Sequence, residues 1–180
     1  MTTAENIRVL WEGKYLDMVA RGRWEYARRK GASGVVGIVA VTEEGRLLLV
    51  EQYRPPIARM SIELPAGLAG DIPGAHDESL AVAARRELLE ETGYEAAEIV
   101  PLVEGVSSAG LSDETVTLML ARGLKKQGSG GGDASEKITV HEVSVDEVHG
   151  FLRERVKTGA AIDFKIYAGL CLLQLQGGRR

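Results

Sequence analysis

Three carboxylates, Glu87, Glu90 and Glu91, stand at positions i, i+3 and i+4 of a stretch that reads as a helix. At helical spacing they share one face. Leu80, Ala84 and Leu88 fall four apart and form an apolar stripe, as an amphipathic helix requires. Gly93 follows the last periodic residue, where a left-handed C-cap ends such a helix. As plain surface the arrangement is unfavourable: like charges at i,i+4 cost about 0.2–0.5 kcal/mol. Anions in the last turn oppose the macrodipole by about 0.3–1 kcal/mol each. A hard divalent cation such as Mg²⁺ reverses both signs, because it gathers several oxygen ligands around one point. The plain alternative is an ordinary acidic helix end.

The neighbouring residues decide between these. Arg86-Glu87-Leu88-Leu89-Glu90-Glu91-Thr92-Gly93-Tyr94, with Glu78 seven intervening residues before Arg86, resembles the core of the Nudix box. Glu63-Leu64-Pro65-Ala66-Gly67 resembles the entry into it. The second half of the motif matches at every defined position, whereas the first half departs. Ten residues separate Gly67 from Glu78, more than the family spacing. Leu68 to Asp77 therefore reads as a loop insertion ahead of an intact helix, since extra loop residues cost little entropy.

Residues 7 to 30 alternate at Ile7, Val9 and Trp11 and again at Trp24, Tyr26 and Arg28. The pattern suggests two strands of a small antiparallel piece. Gly22 to Arg29 resembles the N-terminal strands of ADP-ribose-type Nudix hydrolases, which are exchanged between two subunits and help hold the base. The alternative is that Trp24 is half-buried sheet surface. Val35 to Val41 and Arg46 to Tyr53 read as strands around a turn at Glu43-Glu44-Gly45, and Pro55-Pro56 stops the second. Gln52-Tyr53-Arg54 resembles the same branch's substrate-contacting motif; Arg54 could equally pair with a surface Glu. Ile99 to Val106 and Thr115 to Ala121 read as further strands. Between them, Ser107 to Glu114 resembles the branch's Ser-Pro-Gly…Ser-Asp-Glu loop, with Ala109 in place of the marking proline.

Gln127 to Asp133 has the most flexible composition in the chain and reads as a mobile active-site loop. It leads to Glu136, which matches the branch's catalytic Glu, with Asp133 as runner-up. A loop of this kind would bring Glu136 to the metals once substrate binds. Ser144-Val145-Asp146-Glu147 reads as a capping box. It opens a helix with Val148, Phe151, Leu152 and Val156 on its apolar face. Asp163 to Gln176 reads as a last helix with Ile166, Leu170 and Leu173 inward.

Composition narrows the field. A chain of 180 residues suits one domain. A net charge of −4 argues against a general nucleic-acid or membrane-surface binder. Cys171 is the only cysteine and lies in an apolar run, so it reads as a buried packing residue in a reducing compartment. With no signal peptide or long apolar span, a cytoplasmic protein is expected. His76, His141 and His149 lack zinc-type spacing. Signatures of P-loop kinases, Rossmann dehydrogenases and serine hydrolases are absent.

The resemblance implies an α/β fold: a Nudix-type α/β/α sandwich with a mixed sheet and an N-terminal antiparallel strand extension. It divides the chain into strands 1–30, a hydrolase domain 31–176 and a tail 177–180. It implies Mg²⁺, with Mn²⁺ as the alternative, held by Ala66, Glu87, Glu90 and Glu91. Glu136 and Glu90 would serve catalysis, and Arg86 would pair with Glu78. Trp24, Glu25, Arg54, Leu68, Ser108 and Glu114 would meet the substrate. The implied reaction is hydrolysis of the diphosphate of ADP-ribose or another nucleoside diphosphate sugar, by a homodimer. A dinucleotide (FAD or NADH) pyrophosphatase and a non-cleaving nucleotide sensor are the alternatives. No nucleic-acid or membrane partner is expected.

Overall fold

The computed structural model describes residues 6–132 and 137–177. Two four-stranded mixed sheets carry the fold. One has the order β7 (Ala66–Ala69), β4 (Gly34–Ala40), β9 (Thr115–Lys126), β8 (Tyr94–Val106), with β4 and β9 parallel. The other has the order β10 (Thr139–Ser144), β5 (Arg46–Arg54), β6 (Arg59–Glu63), β11 (Ala161–Ile162), with β6 and β11 parallel. Helix α1 (Leu80–Thr92) covers one side of this layer. Helices α2 (Val148–Lys157) and α3 (Lys165–Gly177) cover the other.

Period-two alternation produces the sandwich. Along β4, Val36, Ile38 and Ala40 join Ala83, Ala84 and Leu88 of α1, while Val39 joins the opposite core with Leu152 and Ile166. Along β5, Leu48 faces the α1 side and Leu47 and Leu49 face the other. Strands buried on both faces read as continuous apolar runs, which is why Val35 to Val41 shows no polar alternation. The expected α/β/α sandwich is what the chain forms.

Four local readings change. Residues 7 to 30 make three antiparallel strands, β1 (Arg8–Glu12), β2 (Leu16–Arg21) and β3 (Trp24–Arg29), rather than two. The central β2 escaped pattern reading because Asp17 occupies a buried position, held at 3.1 Å by Arg28 and 3.3 Å by Lys30. Ser144 makes no capping bond; it is taken up by the β10–β5 ladder opposite Arg46, and a 3₁₀ turn, Val145–Glu147, leads into α2. Val156 is 55% exposed, outside the buried face of Val148 and Leu152. Cys171 is exposed, because its neighbour Leu170 takes the inward position of α3. Among the described residues no helix is long and apolar enough to cross a membrane.

Candidate active site

Helix α1 starts and stops where its sequence dictates. The Ser79 hydroxyl accepts from the Val82 N–H at 3.3 Å, an N-cap that satisfies one orphan donor. At the other end Gly93 adopts φ 76° and its N–H donates to the Leu89 carbonyl. The glycine-rich segment after β9 lies against this end. Gln127 and Gly128 N–H groups donate to the Gly93 carbonyl, Gly131 to Glu91 and Gly132 to Glu90. Residues 127–132 thus act as a backbone cap on carbonyls a helix leaves unsatisfied, and their composition serves close approach rather than free swing. A Cβ on Gly130 would come within 2.4 Å of the Thr92 carbonyl carbon.

The other side of the site is β7 and the loop after it. Leu68 and Ala69 still belong to β7, paired with Val35 and Gly34, so the insertion proper begins at Gly70. Gly70 N–H donates to Glu78 at 3.1 Å, which ties the inserted loop to the foot of α1. Arg86 is the hub. Its guanidinium reaches Glu78 (3.2 Å), Glu87 (2.8 Å), Asp71 (3.4 Å), Glu90 (3.4 Å) and the Leu68 carbonyl (2.9 Å). The Arg86 side chain retains 20% exposure and Glu78 6%. Arg86 beside Glu78 holds that carboxyl below its usual range, more than offsetting burial. Its pairing with Glu78 is the one expected.

Glu87 and Glu91 both line a cleft of about 430 Å³, together with Ala66, Gly67, Leu68, Arg54 and Glu114. Glu91 is buried and accepts from the Ala66 N–H at 3.0 Å, which fixes the helix to the start of β7. Gly67 exists to admit Glu87: a Cβ there would sit 2.0 Å from the Glu87 carboxyl carbon. Burial pushes the Glu87 carboxyl above its usual range despite the adjacent Arg86. Glu90 points outward, its side chain 52% exposed, and stays outside the cleft wall.

The donors fit a hard divalent cation in kind. Glu87 lies in the cleft wall beside a second carboxylate, Glu91, and oxygen ligands suit such an ion. Among the described residues no three acidic, His or Cys groups converge at metal-ligand spacing. Arg86 engages Glu87 and Glu90, so cation binding would require those side chains to turn.

The remaining candidates are distributed. Arg54 is gripped bidentately by Glu63 at 2.8 and 2.6 Å. Burial pushes the Glu63 carboxyl up, but this fork outweighs it and holds the group below its usual range. Glu114 pairs with Arg29 at 2.6 Å. Trp24, 59% exposed, lines a separate depression with Arg21, Tyr26 and Ala109. Glu25 and Ser108 are exposed; Ser107 lines the cleft where Ser108 does not. Glu136 and Asp133 lie outside the described residues. On the cleft wall, sequence reading missed Asp71 and Lys165, and it placed Arg29, Gln52 and Ser107 within its motifs without giving them a role. Arg29 lies on the strand carrying Trp24 and was reachable; Lys165 carries no local signal. His141 bonds Glu51 at 2.8 Å and lies near the Phe151 ring, outside the cleft wall.

Residues 32–168 match the NUDIX domain family model. The methanol dehydrogenase activator of Bacillus methanolicus is 35% identical over 144 residues, covering 79% of this chain and 73% of that protein. The ADP-ribose pyrophosphatase of Bacillus subtilis is 34% identical over 136 residues, covering 73% and 71%. The mouse ADP-sugar pyrophosphatase is 37% identical over 118 residues, covering 58% and 52%. A solved ADP compounds hydrolase superposes with a TM-score of 0.74 at 20% identity, over 99% of this chain and 96% of that one, and so shares the fold. With the acidic helix end, its arginine hub and the glycine that admits Glu87 in place, the chain belongs to the Nudix family and is a Nudix hydrolase.

Proposed function

We propose that the chain hydrolyses the diphosphate bond of ADP-ribose or another nucleoside diphosphate sugar, with Mg²⁺, to a nucleoside monophosphate and a sugar phosphate. The observation that carries this reading is the cleft itself, where Glu87 and Glu91 share a wall with Arg29, Arg54 and Lys165. Carboxylates alone would repel a diphosphate; carboxylates for a cation beside guanidinium groups for phosphate oxygens suit one. The relatives named as ADP-ribose and ADP-sugar pyrophosphatases support the same substrate class.

A bound divalent cation supplies charge neutralisation of the phosphoryl oxygens and a more acidic water. Glu87 and Glu91 would hold it with Glu90 and the Ala66 carbonyl. Arg86 positions Glu87 and fixes the helix foot through Glu78. Glu136, with Asp133 as the second candidate, would orient the attacking water. Arg54 would meet the diphosphate, Glu114 would help orient the substrate and water, Leu68 and Ser108 would meet the substrate from the flanking segments, and Trp24 and Glu25 would hold the base. On the three-stranded sheet and its first turn, Val9, Trp11, Tyr15, Leu16 and Trp24 are each more than 40% exposed, apolar side chains that support a homodimer.

The test is release of AMP from ADP-ribose with and without Mg²⁺, in wild type and in Glu87→Gln/Glu91→Gln. Metal-dependent release that the double variant loses while staying folded is expected. Undiminished turnover in the folded double variant overturns the proposal.

A further inference from the structure

The inserted loop that begins at Gly70 has a defined shape. Gly70 turns the chain at φ 73°, and a Cβ there would come within 2.9 Å of both the His76 carbonyl oxygen and the Ser33 hydroxyl. The Ala75 N–H donates to the Ile72 carbonyl at 3.0 Å, and the Glu78 N–H to the Ala75 carbonyl at 2.9 Å. His76 Nδ1 lies 3.3 Å from the Gly70 carbonyl oxygen. Closed on itself in this way, the loop sets Asp71 on the cleft wall with Glu87 and Glu91. Its Oδ1 stands 3.4 Å from Arg86 Nη2, and the side chain is 36% exposed.

The Arg86 guanidinium divides its partners between two ends. Nη1 holds Glu87 at 2.8 Å and Glu90 at 3.4 Å, two of the carboxylates assigned to the cation. Nη2 holds the Leu68 carbonyl at 2.9 Å and Asp71 at 3.4 Å, and shares Glu78 with Nε at 3.2 Å. One guanidinium therefore serves four carboxylates, and only its Nη1 end must let go for a metal ion to be held. Burial is the chief reason that the Glu87 carboxyl stands above its usual range, and the charges of Glu90 and Asp71 add to it.

We infer that Asp71, supplied by the inserted loop, is a positioning residue that retains Arg86 on the loop side while Glu87 and Glu90 turn to the cation. The inference rests on the cation-dependent reading above and adds to it a residue outside the box helix. Releasing Glu87 and Glu90 leaves the Arg86 side chain, 20% exposed, with Glu78 and Asp71 as its counter-charges. Both Glu78 oxygens are already engaged, by Arg86 and by the Gly70 N–H, and that carboxylate is buried. Asp71 is freer, and its contact is longer than the roughly 2.7–2.9 Å of a strong charge-assisted bond. It can close on Nη2 as Nη1 empties. Without Asp71 the guanidinium holds Glu87 and Glu90 more tightly and competes with the cation for them. A group that orients the partners of a ligand tunes metal affinity without touching the ion.

Mn²⁺ binding to the substrate-free protein, read from the electron paramagnetic resonance signal of the free ion, tests this. Asp71→Asn should weaken binding about tenfold, the usual scale for an outer partner of a ligand, and Asp71→Glu should restore most of it. Asp77 is exposed on the same loop and lies outside the cleft wall. Asp77→Asn removes equal charge without the contact and should bind as wild type does. In Arg86→Lys, whose ammonium cannot fork between the two sets of partners, adding Asp71→Asn should change binding by no more than about twofold, because coupled residues lose their effect together. Equal weakening by Asp71→Asn and Asp77→Asn leaves only loop charge and overturns the inference. An undiminished effect of Asp71→Asn in Arg86→Lys makes Asp71 act independently of Arg86 and also overturns it. So does a fall in the Tm of Asp71→Asn with Mn²⁺ affinity unmoved, which assigns Asp71 to loop structure. Wild type that binds no Mn²⁺ refutes the cation reading and this inference with it, whereas wild-type affinity in Asp71→Asn refutes the role of Asp71 alone.

Discussion

Replacing Gly130 by Ala tests whether the glycine-rich segment is a fixed cap on the acidic helix. Gly130 has φ 65°, and its added Cβ would meet the Thr92 carbonyl carbon at 2.4 Å, the Glu91 oxygen at 2.5 Å and Thr92 Cα at 2.7 Å. All three are backbone atoms, so no side chain can turn aside. The left-handed conformation costs an L-residue about 1–2 kcal/mol. Lifting the segment also removes the bonds from Gly131 and Gly132 to Glu91 and Glu90, each contributing about 0.5–1.5 kcal/mol. The sum is a loss of about 2–5 kcal/mol, or a fall in Tm on the order of 5–15 °C for a chain of this size. Gly128 supplies the control, since a Cβ there meets nothing within 4 Å and its φ is not positive. Gly128→Ala should hold or slightly raise Tm, by restricting the unfolded chain. Circular-dichroism melts of the two variants read the difference, and hydrogen exchange at residues 90 to 93 localises it. Equal melting temperatures would refute the docked-cap reasoning.

Gly67→Ala should displace the Glu87 carboxylate and weaken binding of the proposed divalent cation while sparing the cores; calorimetric titration of the folded variant with Mg²⁺ checks this. Arg86→Ala leaves the Glu78 carboxylate, 6% exposed, without its counter-charge and with the Gly70 N–H as its remaining bond, so a loss of about 3–5 kcal/mol in urea unfolding is expected, and Arg86→Lys should recover only part of it because it cannot fork. The Glu63 carboxyl lies below its ordinary value of 4.5 in the fold, so its contribution is present above pH 4.5 and is lost as pH falls through the lower folded value. Stability profiles should show a steeper acid decline in wild type than in Glu63→Gln, and parallel profiles would contradict the assigned pairing with Arg54.

The acidic helix was legible because its signals are local. The Ser79 cap, the Leu80, Ala84 and Leu88 stripe and Gly93 lie within one continuous stretch, and each obeys backbone geometry that needs no distant partner. The buried strands β4 and β5 were legible for the same reason, whereas the Arg86–Glu78 pairing followed from the resemblance to the Nudix box. Strand β2 was not, because Asp17 is buried only by virtue of Arg28 and Lys30 on the chain's later return. Nor was Cys171, whose exposure depends on which face of α3 meets the sheet.

By itself the sequence determined which carboxylates stand on one helix, since that follows from period, capping and turn chemistry, while the family and the sandwich class came from the motif's resemblance to the Nudix box. Only the tertiary structure decided that Glu87 enters the cleft and Glu90 leaves it, and that Arg29 and Lys165 face the same space as Arg54. The physical reason is distance along the chain. A cleft wall is assembled from residues more than a hundred positions apart, and what brings them together is burial of the two cores rather than any property of the segments that carry them.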